Sequence, residues 1–238
     1  MMRTSQPNHQ APARAVTCKI AKARPGTVRL WTIQPLHVWE KLRQMGALWV
    51  DPGTDEFSHE FRESYDWMCR QMRRRLPEYE GHYPWWAYDY KLDLRSFRYQ
   101  SGTGRQVLLE LALPPEQVLF SAYGAWHFVL GPSYLPYALD NEGWECEDNA
   151  WKKELKENGL DPYQEHPLPE PWHSRMVASW ERIFDVDDLR DTNTIQACFE
   201  RLELNDVVTV TEFTAVAGLF TRVIAQQQNC VFCSKLSL

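Results

Sequence analysis

Residues 28–35 read VRLWTIQP, and the rest of the chain is interpreted from this stretch outward. Its side chains alternate between two faces in the period of a strand, so that Arg29 and Trp31 share one face. Pro35, which has no backbone N–H, fits the first position of a helix, and Gly46 fits its end. We therefore predict a strand that feeds directly into a helix.

Further elements are predicted from the spacing of apolar residues. Residues 57–76 place an apolar side chain every three or four positions, with acids early and arginines late, which is typical of an amphipathic helix. Residues 107–113 alternate as a strand, and 118–120 are predicted to return as a strand paired with it. Two late strands are predicted at 194–199 and 207–213. The pattern predicts an α+β fold, with N-terminal strand-helix units followed by a mostly antiparallel sheet.

Composition predicts one folded domain between two tails. Residues 1–26 contain no acidic residue and are rich in Ala, Gln, Pro and basic residues, which predicts a disordered tail. We expect a single α+β domain over residues 27–216 and a C-terminal tail over 217–238. Within the domain, residues 131–175 are rich in Pro and acids, and we predict a surface insertion with one short helix near residues 148–157.

The bulk numbers exclude several classes of protein. The 238 residues are 44% hydrophobic and 24% charged, which are ordinary globular values. Five of the positive charges lie in the first 24 residues, and without them the formal charge of -6 becomes -11 for the remainder. Bulk binding of nucleic acid to the domain is therefore not expected.

Membrane insertion and export are not expected either. No apolar run reaches the roughly 18 residues that span a bilayer. The six cysteines are scattered and no secretory signal precedes them, which favours reduced thiols and a cytoplasmic location. Cys230 and Cys233 form the only close pair, and the seven histidines lack metal-site spacing, so no metal is expected. The chain has no Gly-x-Ser-x-Gly elbow, P-loop or Rossmann glycine signature.

Polar residues that interrupt apolar strands are the remaining candidates for chemistry. Glu110 and Gln196 each break a hydrophobic strand, while Arg29 lies beside Trp31 on the first strand. Simple solvent exposure of a second strand face explains each of them equally well when taken alone. The aromatic-rich segment at residues 79–99 offers a different interpretation, a surface for a protein partner or for stacked bases.

Several short motifs, in order, resemble a bacterial family called domain of unknown function 3841. The resemblance covers about residues 28–215. The chain departs from the family pattern at Cys198 and Glu200, where Thr and Trp are expected. The motifs are RLWTIQ at 29–34, YDWM at 65–68, DLR at 93–95, AWH at 125–127, SWERIFD at 179–185 and IQA at 195–197.

More distantly, the order of elements resembles ADP-ribosyltransferase-like folds. In those folds the first strand and helix hold NAD, an arginine contacts its phosphates, and a late-strand glutamate orients the nicotinamide ribose. Gln cannot act as that carboxylate, so the resemblance implies that another residue supplies the charge. The implied cofactor-binding residues are Arg29, Trp31, Thr32, Arg95 and His127, and the implied catalytic residues are Gln196 with Glu181 or Glu110.

The resemblance implies a function that we carry forward as an expectation. It implies a glycosyltransferase, ADP-ribosyltransferase-like, that uses NAD as co-substrate and modifies a macromolecular acceptor, either protein or nucleic acid, in a toxin or defence context. A carboxylate in a dry pocket would stabilise the positive charge that develops on the ribose. The alternative is a non-enzymatic protein-interaction domain, which needs no catalytic carboxylate.

Overall fold

The structure is a computed structural model, and it describes residues 15–50, 61–96, 104–161, 167–189 and 194–215. The strands are β1 (Val16–Lys19), β2 (Val28–Pro35), β3 (Ala47–Trp49), β4 (Trp85–Tyr88), β5 (Gly104–Leu113), β6 (Leu119–Ala122), β7 (Ile195–Phe199), β8 (Arg201–Glu203) and β9 (Val207–Ala215). The helices are α1 (Leu36–Met45), α2 (Arg62–Arg75), α3 (Tyr123–Leu130), α4 (Asn141–Glu157), α5 (Trp172–Ser179) and α6 (Val186–Leu189), with 3-10 turns at Pro115–Gln117, Trp180–Phe184 and Leu204–Asp206.

The chain divides into two compact units. Among the described residues, the first unit draws on residues 15–47, 90–96, 104–112 and 203–215, and the second on 48–50, 61–89, 113–161, 167–189 and 194–202. Each unit is therefore built from segments that are far apart in the sequence. The pairs β1–β9, β5–β9, β4–β7 and β6–β7 are antiparallel, which agrees with the predicted mostly antiparallel sheet.

The first unit contains the strand order β1-β9-β5-β2. Strand β5 is its apolar centre, because Val107, Leu109 and Leu111 are all fully buried. The register between β5 and β9 shifts between Glu110 and Leu111, which is a β-bulge. In β2 the residues alternate as predicted, with Leu30, Thr32 and Gln34 buried while Arg29 is exposed.

The predicted strand-helix unit is confirmed as β2 followed by α1. Val38, Trp39 and Leu42 form the buried face of the helix. Pro35 ends the strand and occupies the N-cap rather than the first helical position. Gly46 ends the helix with a φ of 80°, and its N–H donates to the Leu42 carbonyl at 2.8 Å. Glycine adopts this left-handed conformation without the steric cost that a Cβ brings.

The second unit contains the strand order β4-β7-β6, while β3 and β8 form a separate two-stranded sheet. All five residues of β7 are buried. Helix α2 packs through Trp67, whose ring lies edge-on to Trp180 at 5.6 Å and stacks on Phe184 at 5.8 Å. These aromatic contacts place Trp67 and Trp180 in the buried core.

Two predictions about strands are corrected by the structure. Strand β1 forms inside the segment predicted as a disordered tail, because its Val16–Lys19 backbone pairs with β9 over four residues. Strand β6 was predicted to pair with β5, its neighbour in sequence, and this is wrong. The 3-10 turn at Pro115–Gln117 separates the two strands, and β6 pairs with β7 instead.

The predicted irregular insertion is also more ordered than expected. Helix α4 is 17 residues long, where one short helix was predicted. Its start is fixed by Asp140, whose side chain accepts the Gly143 N–H at 2.7 Å. Only Trp151 and Leu155 are buried along its length, so the apolar pattern was too sparse to indicate its extent.

Helix α3, which contains Trp126 and His127, was not predicted. Its eight residues are predominantly apolar and so present no clear helical stripe. The predicted C-terminal tail, the Cys230/Cys233 pair and the predicted start of α2 at residue 57 lie outside the described residues.

Candidate functional site

Four of the predicted site residues lie in neighbouring strands of the first unit, Arg29, Trp31 and Thr32 in β2 and Glu110 in β5. Arg29 on β2 forms an ion pair with Glu110 on β5, and Trp31 shares the strand face of Arg29. The Thr209 hydroxyl donates to the other oxygen of Glu110 at 2.7 Å. Both oxygens of this carboxylate are therefore engaged within the fold, next to the β-bulge.

Thr32 and Arg95 lie in different surroundings within the same unit. Thr32 is only 3% exposed and accepts a hydrogen bond from the Gln34 amide at 2.8 Å. The Arg95 side chain is 87% exposed and binds both oxygens of Asp93, at 2.9 and 2.8 Å. These bonds from Arg95 lower the pKa of Asp93 to about 2. Arg95 also lines an open depression together with Lys91.

The remaining three predicted residues belong to the second unit and bind different neighbours. Gln196 was expected on a face opposite the core, but it is buried and donates to the Ser121 hydroxyl at 3.2 Å. His127 lies on α3 with Nδ1 2.9 Å from the Tyr123 carbonyl. Glu181 accepts from Arg74, Arg75 and Gln71, at 2.7, 2.6 and 2.8 Å.

The environment of Glu181 keeps it ionised as a structural anchor. Partial burial acts to raise its pKa, but hydrogen bonds from Arg75 and Gln71 outweigh this effect and hold the pKa below its usual value. The structure thus brings Arg29, Trp31 and Glu110 together in one unit. Gln196, Glu181 and His127 each hydrogen-bond different partners.

A cavity of about 340 Å³ in the second unit contains none of these predicted residues. Three aromatic side chains line it, namely Trp49, Tyr79 and Phe199. Phe199 is 1% exposed and belongs to the core, whereas Trp49 is 40% exposed and reaches solvent. The lining therefore combines one aromatic ring that reaches solvent with one that belongs to the core.

Glu200 fixes one wall of this cavity by binding three successive backbone N–H groups. Its carboxylate accepts from Glu80 at 2.8 Å and from Gly81 and His82, each at 2.7 Å. The same carboxylate lies 3.0 Å from His82 Nδ1. Successive N–H groups around one anion form a backbone nest, and here the anion is supplied by the end of β7.

The turn that Glu200 binds depends on a glycine and is closed by Tyr79. Gly81 has a φ of 122°, and a Cβ there would meet Arg73 Nη2 at 3.3 Å. The Tyr79 hydroxyl donates to the His82 carbonyl at 2.8 Å, which holds the ring against the same turn. Burial raises the pKa of Tyr79 well above its usual value, so the ring remains a neutral phenol at physiological pH.

The cavity lining is strongly acidic. It includes four carboxylates and one arginine, Arg201, so that its formal charge is -3. Glu200 is already bound by the backbone, while the other three carboxylates lie on exposed residues at the rim. These residues are Glu78, Glu80 and Glu116.

The sequence did not indicate this cavity, because most of the acids that line it resemble ordinary surface residues. Tyr79 and Glu80 fell within the aromatic-rich residues 79–99 proposed as a partner surface, and Glu200 stood out only as a departure from the family pattern. Gly81, beside Tyr79, was a second available signal, since a glycine between polar and aromatic residues indicates a special turn.

A family model described as Domain of unknown function (DUF3841) matches residues 29–208. The chain belongs to the DUF3841 family. No curated protein and no solved structure matches it. The DUF3841 match begins at Arg29 and extends past Arg201, so it contains every residue that lines the cavity. Strand β1 precedes the match.

Within the described ranges, no helix is long and apolar enough to cross a bilayer. The same ranges contain no group of three His, Cys, Asp or Glu side chains arranged to hold a metal ion.

We predict that Glu200→Ala loosens the cavity wall. Removing the carboxylate leaves three N–H groups without their acceptor, which costs about 1–3 kcal/mol of unfolding free energy when such groups stay partly buried. Urea unfolding measures this loss, and hydrogen exchange should accelerate at Glu80, Gly81 and His82.

Glu116→Ala is the matched control, because it removes an exposed carboxylate from the same cavity. It should change the unfolding free energy by less than about 0.5 kcal/mol. Unchanged exchange at Gly81 and His82 in Glu200→Ala would contradict the proposed role of Glu200.

Proposed function

We propose that this DUF3841 chain is a non-enzymatic interaction domain, and that the cavity of the second unit is where it holds its ligand. The observation behind this proposal is the cavity itself, about 340 Å³ in volume and lined by Trp49, Tyr79 and Phe199. Ligand pockets in proteins span roughly 300–1,000 Å³ and are lined largely by aromatic and apolar side chains. The cavity fits the lower end of that range.

The rigidity of the wall supports a binding role. Glu200 and the Tyr79 hydroxyl both hold the turn at residues 80–82, from the strand side and from within the turn. A wall that is already ordered loses little conformational entropy when a ligand arrives, and affinity rises accordingly. The three aromatic side chains of the lining also supply apolar contact area to a ligand.

A panel of small probes tests this role. Phenol, benzylamine and benzoate differ in charge and each fits one aromatic group into a cavity of this size. We expect at least one of them, at millimolar concentration, to shift the NMR signals of the Trp49 indole, Gly81 and Gln117. The three reporters surround the cavity, and so they should respond together.

Trp49→Ala should remove the shifts at Gly81 and Gln117, because it deletes the exposed wall. Trp31→Ala is the matched control, since it removes an indole from the first unit and should leave these shifts intact. A panel in which no probe moves the cavity signals, or in which Trp49→Ala has no effect, would refute the binding role.

A second candidate function is NAD-dependent transfer of ADP-ribose on an ADP-ribosyltransferase-like fold. The pairing of Arg29 with Glu110, beside Trp31, favours it. An arginine suits a diphosphate, an indole suits a planar ring, and a carboxylate suits a developing oxocarbenium ion. NAD would have to displace Glu110 from Arg29 before the arginine could bind phosphate.

Calorimetric titration with NAD tests this second candidate. If it holds, NAD at millimolar concentration gives binding heat, and both Arg29→Ala and Arg95→Ala abolish it. Arg105→Ala is the control, because Arg105 is an exposed arginine of the same unit that pairs with Glu212. Absence of heat with the unmodified chain removes the candidate.

A further inference from the structure

We infer that the cavity of the second unit takes an organic cation, an amine, guanidinium or methylated ammonium group. This inference rests on the proposed binding function, because it specifies the ligand class of the same site. It is carried by two independent properties of the lining, the charge of its rim and the aromatic character of its walls.

The charge of the rim selects against anions. Four glutamates against one arginine give the lining its formal charge of -3. Glu200 is saturated by backbone donors, so the charge available to a ligand comes from Glu78, Glu80 and Glu116. Within the described part of the chain, no ion pair or side-chain hydrogen bond engages these three carboxylates. A cation entering the cavity relieves their mutual repulsion.

The aromatic walls of the cavity also favour a cation over an anion. The face of an aromatic ring is electrically negative and attracts a cation placed within about 6 Å of its centre. Tyr79 already attracts one cation of the chain, since the Arg73 guanidinium lies 5.8 Å from its ring centroid. Trp49 is the strongest type of cation-π partner and is the exposed wall, available to a ligand.

Together the two properties distinguish among ligand classes. A phosphate or carboxylate is repelled by the rim and by the ring faces alike. A neutral apolar group gains the aromatic contacts, but it displaces water from the carboxylates and cannot replace the hydrogen bonds that the water made. Only a cation satisfies both parts of the lining. The volume of about 340 Å³ suits one small group rather than a dinucleotide.

Three probes of equal shape and different charge test the inference. Choline is the cation, dimethylbutanol is its uncharged carbon isostere, and dimethylbutanoate is the corresponding anion. NMR titration of the whole chain, followed at Trp49 and Gly81, should give a dissociation constant for choline about tenfold lower than for the alcohol. The anion should cause no shift over the same range.

Charge-neutral variants of the rim provide the second measurement. Glu78→Gln combined with Glu116→Gln should weaken choline binding about tenfold and leave the alcohol unaffected, because shape is preserved. Glu142→Gln combined with Glu145→Gln is the matched control, since it removes two exposed charges from α4, outside the cavity. If the control pair weakened choline binding equally, choline binding would depend only on the net charge of the protein, and the inference would be overturned.

The outcomes separate this inference from the function on which it rests. If the alcohol or the anion binds at the cavity as tightly as choline, the domain still binds ligands there and the cation class is wrong. If none of the three moves Trp49 or Gly81, the cation inference fails, while the binding role is judged separately by the panel of phenol, benzylamine and benzoate.

The same titration identifies the source of the cation. A short peptide with one trimethyllysine presents the ammonium group on a protein partner, whereas choline presents it free. A peptide that binds at least tenfold more tightly than choline assigns the cavity to a partner's side chain. Equal or weaker binding of the peptide assigns it to a free small cation.

Discussion

The bond between the Glu200 carboxylate and three successive backbone N–H groups is the constraint that shapes the second unit around its cavity. Peptide N–H groups at the edge of the core need an acceptor, and the turn at residues 80–82 has no strand partner to supply one. Glu200 supplies it from the end of β7. One ionised side chain therefore sets the position of Tyr79, of the turn and of the rim acids that flank them.

The chain bends at Glu200, between β7 and β8, and three successive residues there line the cavity while making different contacts. Phe199 is buried in the core, Glu200 binds the turn, and Arg201 begins β8 at the cavity edge. The 3-10 turn before β6 contributes Glu116, and β3 contributes Trp49. The rim carries negative charge, and a cationic ligand would gain Coulomb attraction to it.

Sequence reasoning succeeded where structure is locally encoded. The alternation of residues 28–35, Pro35 and Gly46 act over one or two turns, and they correctly predict β2 and α1. It failed where long-range pairing decides the outcome. Gln196 is buried in β7, which β4 and β6 flank on both sides, and no local pattern reveals this pairing. The cavity joins residues that are as far apart in the sequence as Trp49 and Arg201. Exposed glutamates give no signal until the fold brings them together.

The two units differ in which charged groups are available to a ligand. In the first unit Arg29 and Glu110 bind each other, whereas in the second unit the rim carboxylates meet no partner among the described residues. The most direct measurement is a crystal structure of the chain grown with choline. We predict a trimethylammonium group between Trp49 and Tyr79, within reach of the Glu78 or Glu116 carboxylate. Choline seated elsewhere, with only water in the cavity, would contradict it.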